Sequence, residues 1–312
     1  MRRLIGAAVV LLAVSVIAFS LGSLARGDPA QIILLRRTGE APPAAAVIAL
    51  RHEMGLDRPA LDRYARWLAN AMRGELGNSY RTGMPVLDDL RSHFLATLTL
   101  AMSALVLSTA IAFPLALLSV ASRNSALDHG LRIAGLAGIS IPGYLIAYLL
   151  ILLFAVRLGA LPVSGSGGLR HLVLPALTLA VGSSASLTRL LRATLLNELG
   201  DDYVRTARAK GVSTWRVLSV HALRNSLNPV ITVSALRAGR LLGEAAIVET
   251  IFAWPGIGLW IVSSIYDRDY PAIQGFVLYI ATVFVSLNVL VDVLYRGLDP
   301  RVRLGAPTPA SA

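Results

Sequence analysis

The chain has 312 residues, 55% of them hydrophobic and only 15% charged, with a net charge of +11 and a mean hydropathy of +0.65. That apolar share exceeds what a soluble core of this size holds, so the bilayer is the expected solvent. The arginines punctuate long apolar runs instead of forming one basic surface, which argues against nucleic acid as a partner, and the lack of cysteine excludes disulfide frameworks, thiolate metal sites and cysteine nucleophiles.

A spanning helix needs about 20 mainly apolar residues, because lipid offers no partners for backbone polar groups. Six segments meet this test: Leu4–Leu24, Leu95–Val120, Ile133–Phe154, Leu172–Leu190, Pro229–Val248 and Ala272–Leu294. The expectation is an all-α, polytopic membrane protein. The first segment follows Arg2 and Arg3, and its apolar stretch is longer than the roughly 7–15 residues of a cleaved signal core, so residues 1–25 read as a retained first transmembrane helix.

Residues 26–94 form a loop region that reads as folded. Asp57 is the expected cap of a helix with Pro59 in its first turn, and Leu61, Tyr64, Leu68 and Met72 recur on one face before Gly74 ends it. A lid over the helix ends and a dock for an extracytoplasmic partner are both open roles for it. Residues 95–300 hold the other five spans, and 301–312 a tail. Counting basic residues in the short loops sets the orientation. One side collects Arg2, Arg3, Arg123, Arg132, seven residues from Arg189 to Arg224, and Arg296, Arg301 and Arg303; the short loops of the other hold only Arg157, Arg170 and Arg268, while the long first loop, with ten arginines and eight acids, is of a length that largely escapes the rule. Both termini, and loop 191–228, are therefore expected in the cytoplasm.

That loop is polar and basic, and holds Lys210, the only lysine among 29 basic side chains. A helix over Tyr203–Lys210 places Tyr203, Thr206, Ala207 and Lys210 on one face, with Arg205 and Arg208 projecting from others. Gly211 is expected to end it in the left-handed conformation. Ser213 then caps a second helix with an apolar strip of Trp215, Leu218 and Ala222, and Asn228-Pro229 caps and begins the fifth span.

Here the sequence resembles a known family, the inner-membrane permease subunits of ABC-type dipeptide and oligopeptide (or nickel) importers. The carrying string is Tyr203-Val204-Arg205-Thr206-Ala207-Arg208-Ala209-Lys210-Gly211, followed by His221-Ala222-Leu223-Arg224-Asn225 and Asn228-Pro229. Further similar strings run along nearly the whole chain: Gly27-Asp28-Pro29, Leu56-Asp57-Arg58-Pro59, the run from Gly74 to Ser79 with Pro85-Val86, Ser140-Ile141-Pro142, Val248-Glu249-Thr250-Ile251-Phe252-Ala253-Trp254-Pro255-Gly256, Arg268-Asp269-Tyr270-Pro271, and Leu298-Asp299-Pro300-Arg301. The resemblance implies that the helix–Gly–helix is a coupling element seated in a groove of an ATPase subunit, with Tyr203, Arg205, Thr206, Ala207, Arg208, Ala209, Lys210 and Gly211 at the contact. The wider ABC importer class has a Glu-Ala-Ala pattern with glycine four residues later; here Arg205 and Thr206 replace the first two positions, while Ala207 and Gly211 keep theirs. The implied partners are a second homologous permease, two cytoplasmic ATPases, an extracytoplasmic solute-binding protein and the bilayer of a bacterial inner membrane. No cofactor is expected on this chain, with ATP and Mg on the partner subunits.

The fifth span carries Arg237, Arg240 and Glu244, and each ionisable group at mid-membrane costs about 2.5–3.5 kcal/mol on insertion scales. At the helical period the three fall within about 60° of one another, and Arg240 and Glu244 are spaced for an i, i+4 ion pair. The resembled family often has glycine or other small neutral residues here. Two readings stand: a lining of the translocation path that favours a carboxylate-bearing solute, or a polar contact with the companion permease. Glu249, Asp267 and Asp269 are expected to cap or pair near the outer surface. His171 and His221 are isolated and lack metal-ligand spacing, and no Gly-rich phosphate loop occurs. ATP chemistry is thus expected elsewhere. The competing class is a secondary transporter working without an ATPase, for which more spans, an internal repeat and broken midplane helices are expected.

Overall fold

Apolar runs that must satisfy their own backbone can only coil, and the computed structural model, which describes residues 2–24 and 28–298, is helical in all six predicted spans. Among the described residues no strand forms; Asn78 and Pro85 make one isolated antiparallel bridge. In chain order the helices are α1 (Arg2–Leu24), α2 (Pro29–Thr38), α3 (Ala44–Glu53), α4 (Ala60–Met72), α5 (Val86–Ala121), α6 (Ala126–Ser140), α7 (Gly143–Leu150), α8 (Leu169–Glu198), α9 (Asp202–Ala209), α10 (Thr214–Arg216), α11 (Leu223–Phe252), α12 (Ile257–Tyr266) and α13 (Tyr270–Leu298). Wider π-helical segments follow α7 (Ile151–Arg157) and precede α11 (Val217–Ala222). Gly27, Asp299, Pro300, the tail 301–312 with Arg301 and Arg303, and the side chains of Arg2, Arg3, Asn228 and Arg296 lie outside the described residues.

By length and composition α1, α5 and α8 each qualify as a span. Two more qualify only as bent pairs, Ala126–Ser140 with Gly143–Arg157 at 106° and Gly239–Phe252 with Ile257–Tyr266 at 68°. The predicted sixth span lies in α13, whose described apolar stretch, Tyr270–Ser286, is shorter than the rest. The third predicted span is therefore not one continuous helix. Pro142 disfavours helical backbone at the residue before it, and Ile141 is extended at φ −77°, ψ 127°.

The chain forms two compact units. One draws on the residues up to His93 and on Trp260–Asn288; the other on Phe94–Leu259 and the end of α13. In the first unit α1 packs on α4, with Ser15 Oγ and Tyr64 OH 2.8 Å apart and the Phe19 ring 5.5 Å from Tyr64 and 6.0 Å from Trp67. The loop region is folded as expected, but α4 is rotated from the predicted face. Leu61 and Met72 are 79% and 77% exposed, because the aromatic pair Tyr64 and Trp67 offers more area to bury against α1. Asp57 does not cap α4 either. Pro59 occupies the cap position, and Asp57 lies 3.4 Å from Arg51 instead. Gly74 follows the helix with φ +86°, as predicted.

Two of the distant strings meet in this unit. The Asp269 carboxylate, 1% exposed, accepts from Ser79 Oγ at 2.5 Å and from the backbone N–H of Tyr80 and Arg81 at 3.0 and 3.2 Å. It also accepts from Ala272 N at 3.4 Å, at the start of α13. Arg81 and Asp267 pair at 3.4 Å. The expectation that these acids cap and pair holds. Burial, reinforced by the neighbouring Asp269 charge, pushes the Tyr80 phenol up to about 12.

In the second unit one cluster joins α5, α7, α8 and α11 around Leu100, Leu174, Leu241 and Phe252. A second gathers Ala116, Leu187, Leu191, Leu218, Ala222 and Val230 where α5 and α8 end and α11 begins. This second cluster explains why α11 starts at Leu223 and runs through Pro229, against the prediction that Asn228-Pro229 begins the span. The ring removes one backbone hydrogen bond, and burial of Leu218, Ala222 and Val230 on a continuous helix offsets the loss.

Candidate functional site

Three features of the second unit carry the chemistry the sequence singled out. The first is the basic hairpin between α8 and α11. Helix α9 ends with Lys210 at its cap and Gly211 at φ +78°, where Gly211 N donates to Arg208 O at 2.9 Å and Val212 N to Ala207 O at 3.2 Å. A left-handed turn of this kind suits glycine because no Cβ meets the following carbonyl. Of the eight predicted contact positions, seven are exposed (Tyr203, Arg205, Thr206, Arg208, Ala209, Lys210, Gly211) and Ala207 is half-buried. The residue that anchors α9 is Val204, fully buried. Tyr203 OH donates to Glu198 Oε2 at 2.7 Å, and Arg205 pairs with Asp202 at 3.2 Å, both widely exposed.

Beyond Gly211 the prediction needs correcting. Ser213 holds the cap position of α10 without a side-chain bond; its carbonyl accepts from Val217 N at 3.0 Å. The buried strip is Val217, Leu218 and Ala222, while Trp215 is 55% exposed. The π-helical segment adds a residue to the turn and so shifts which side chains face inward.

A buried ionic contact braces the base of this hairpin. Asp128, at the start of α6 and fully buried, takes Arg192 Nε at 3.1 Å and Nη2 at 2.8 Å. Ser119 Oγ, on α5, donates to it at 2.5 Å, and Asn124 N at 3.2 Å. The two-pronged Arg192 guanidinium offsets the buried Asp128 charge with charge-assisted hydrogen bonds to both carboxylate oxygens. None of this was read from the sequence, because Arg192 counted there only toward loop charge. Asp128→Ala, which strands Arg192, is expected to cost about 3–5 kcal/mol at neutral pH. Melting of the detergent-solubilised protein measures this deficit, and an undiminished melting temperature would show that the ion pair adds no stability.

The third feature is a cavity of about 520 Å³ at the break between α6 and α7, walled by α8 and α11. Arg237, Arg240 and Glu244 all line it, beside Pro142, Ser183 and Ser186. Gly138 and Gly182 let α6 and α8 approach closely: a Cβ at Gly182 would sit 3.6 Å from Gly138 O. Arg240 and Glu244 form the expected pair, at 3.4 Å, and stay open to the cavity at 78% and 52% exposure. Arg237 is half-buried. It reaches Ser183 O only at 3.5 Å, and its Nε has no partner among the described residues. The structure thus gathers these charges at one concave, partly polar surface. Among the described residues no three His, Asp or Glu side chains group as metal ligands.

Glu249 sits near this wall, fully buried. Its carboxylate accepts from Thr97 Oγ1 at 2.5 Å and from the backbone N–H of Gly258 and Leu259 at 2.7 and 3.3 Å. It caps α12 from the preceding helix. Thr97 Oγ1 in turn accepts from Ile257 N at 2.8 Å, and any Cβ at Gly256 would collide with the carboxyl group. Its capping role was expected; its depth was not.

Comparison with known proteins agrees with this architecture. The family described as "Binding-protein-dependent transport system inner membrane component" matches residues 110–304, and its N-terminal companion family matches 1–101. The chain is 39% identical to the "Probable D,D-dipeptide transport system permease protein DdpB" of Escherichia coli (strain K12), over 97% of each chain. It is 38% identical to the "Glutathione transport system permease protein GsiC" of the same strain, again over 97% of each. Among solved structures, the MetNI methionine ABC transporter in inward facing conformations aligns with TM-score 0.57 and 19% identity, over 67% of this chain and 96% of that one. An amino acid ABC transporter, solved with histidines, aligns with TM-score 0.53 and 16% identity, over 67% and 94%. At those identities the likeness speaks for the fold. With both halves of the sequence matched and relatives above 30% identity along nearly its whole length, the chain belongs to the inner membrane components of binding-protein-dependent transport systems, the permease subunits of ABC importers.

Proposed function

We propose that this permease moves short peptides or related carboxylate-bearing solutes, with α9 and Gly211 as its contact to an ATPase and the cavity at Arg237 as part of its path. One observation supports the coupling assignment above the rest: seven exposed positions on and just after a short helix whose one buried side chain is Val204 and which a left-handed glycine closes. A structural helix would bury more of itself. A helix meant to seat in a partner's groove leaves its contact residues uncovered, and Arg208 and Lys210 have no acidic partner among the described residues to compete with carboxylates in that groove.

In this reading a second homologous permease completes the pathway, two cytoplasmic ATPases bind ATP and Mg, and an extracytoplasmic binding protein delivers the solute. Both termini and α9 face the cytoplasm, by the excess of basic residues in the loops on that side. Closure of the ATPases displaces α9, the Asp128–Arg192 brace passes that motion to α5, α6 and α8, and the cavity changes its exposure. The relatives' names speak of D,D-dipeptide and glutathione, both carboxylate-bearing, and a half-buried guanidinium held by one long contact to Ser183 O, beside an open ion pair, is suited to such a group. Arg237→Gln tests this part. Transport by the reconstituted complex is expected to lose its preference for a free peptide C-terminus over the amidated peptide, about tenfold, from one charge-assisted hydrogen bond. Unchanged preference with poorer complex assembly would instead place these charges against the companion permease.

A further inference from the structure

A second, smaller cavity of about 280 Å³ opens between α6 and α8 near the end of α5, on the side of the unit where the Asp128–Arg192 brace lies. Its lining includes Ser119, Arg132, Gly135, Leu136, Thr188 and Arg189, together with Arg192. The charges do not balance. Asp128 is committed to Arg192, whereas Arg132 and Arg189 are exposed and form no ion pair among the described residues. Two guanidiniums therefore face one opening with no acid to neutralise them. Directly alongside, Ile133 and Leu136 of α6 are 68% and 54% exposed, so an uncompensated double positive charge adjoins bare hydrocarbon on a helix of a membrane protein.

We propose that this cavity is a binding site for an anionic phospholipid, its phosphate held between Arg132 and Arg189 and an acyl chain lying over Ile133 and Leu136. Guanidinium pairs match the geometry of a phosphate diester, and basic pockets between spanning helices attract acidic headgroups. A free phosphate would satisfy the arginines and leave the apolar strip uncovered. A lipid satisfies both. Gly135 lies between the charged and apolar parts of the lining, and a Cβ there would meet nothing within 4 Å, so the cavity has room for a headgroup. Because the site abuts the brace at Ser119 and Arg192, its occupancy also steadies the base of the hairpin.

The test is native mass spectrometry of the assembled transporter, purified with its partner subunits and exchanged into phosphatidylcholine with titrated phosphatidylglycerol. The wild type is expected to retain phosphatidylglycerol, and the Arg132→Gln/Arg189→Gln double variant to need about thirtyfold more for equal occupancy, from two surface arginines. Gly135→Trp, which keeps both charges and fills the space, should also lose the lipid, while Arg157→Gln should retain it. Size-exclusion profiles identify any misfolded variant, and the cavity-filling and double variants then serve as checks on each other. The proposal is overturned by unchanged retention in both variants, by equal retention of phosphatidylcholine, or by displacement with inorganic phosphate, which would make the site a free-anion pocket. It is also overturned if the double variant sheds a companion subunit and keeps its lipid, which would make the surface a protein interface. Lipid retention needs neither ATP nor solute, so this outcome is independent of the coupling assignment.

Discussion

Gly211→Pro is expected to leave the permease inserted and folded while solute uptake by its reconstituted complex falls about a hundredfold and ATP hydrolysis continues. The residue stands at φ +78°, and a proline ring holds φ near −65°, so the native turn cannot form. The substitution also deletes the N–H that bonds Arg208 O at 2.9 Å. Together these cost about 3 kcal/mol at this turn, which corresponds to a native population under about one per cent. The rest of the fold is spared, because the residue is exposed and an added Cβ would touch nothing within 4 Å. Gly211→Ala separates conformation from bulk. It must pay only the left-handed penalty of roughly 1–2 kcal/mol, so its uptake defect should be about tenfold smaller. Uptake of labelled dipeptide and phosphate release, measured on the same proteoliposomes, report the two activities. Wild-type uptake in the proline variant would remove α9 from the coupling role.

Glu249→Ala is expected to cost about 3–5 kcal/mol of stability, as much as Asp128→Ala, seen as a lowered melting temperature and poor recovery from the membrane. Removing the carboxylate orphans three donors at once: Thr97 Oγ1 and the N–H groups of Gly258 and Leu259. In a lipid-surrounded bundle no water replaces it. Glu249→Gln keeps the shape and one acceptor oxygen. The Thr97 hydroxyl, which also accepts from Ile257 N, can take a hydrogen bond from the new amide, so the loss should shrink to about 1 kcal/mol. Equal damage from both variants would show that charge, not hydrogen bonding, holds the bend between α11 and α12. That bend matters for function because α11 carries Arg237, Arg240 and Glu244 on the cavity wall.

How much of this was legible beforehand depended on the range of the interaction. The helix–glycine–helix at 203–211 was readable because a left-handed stop and a run of exposed basic residues are local properties. The Arg240–Glu244 pair was readable because both partners sit on one helix at i, i+4. Glu249 was half-readable: a carboxylate in an apolar run must bond to something, yet its partners Thr97 and Gly258 lie on other segments. Asp128 and Arg192, 64 positions apart, left no local trace. The rotation of α4 was misjudged for a related reason, since the face that α1 covers is chosen by Phe19 packing on Tyr64 and Trp67, not by α4's own periodicity.

The sequence by itself determined the solvent, the helical class, the existence of a basic hairpin and the family, because hydropathy, charge placement and ordered short strings are written along the chain. Only the tertiary structure decided that the third span is bent and that a bend follows the fifth, that α11 continues through Pro229, and that Arg192 is neutralised by Asp128 while Arg132, Arg189 and Arg237 line cavities. The physical reason is that a bend, a buried ion pair and a cavity each depend on which surfaces of distant helices come into contact. Their energies arise from removing those surfaces and charges from lipid and water, a cost that no single segment can set alone.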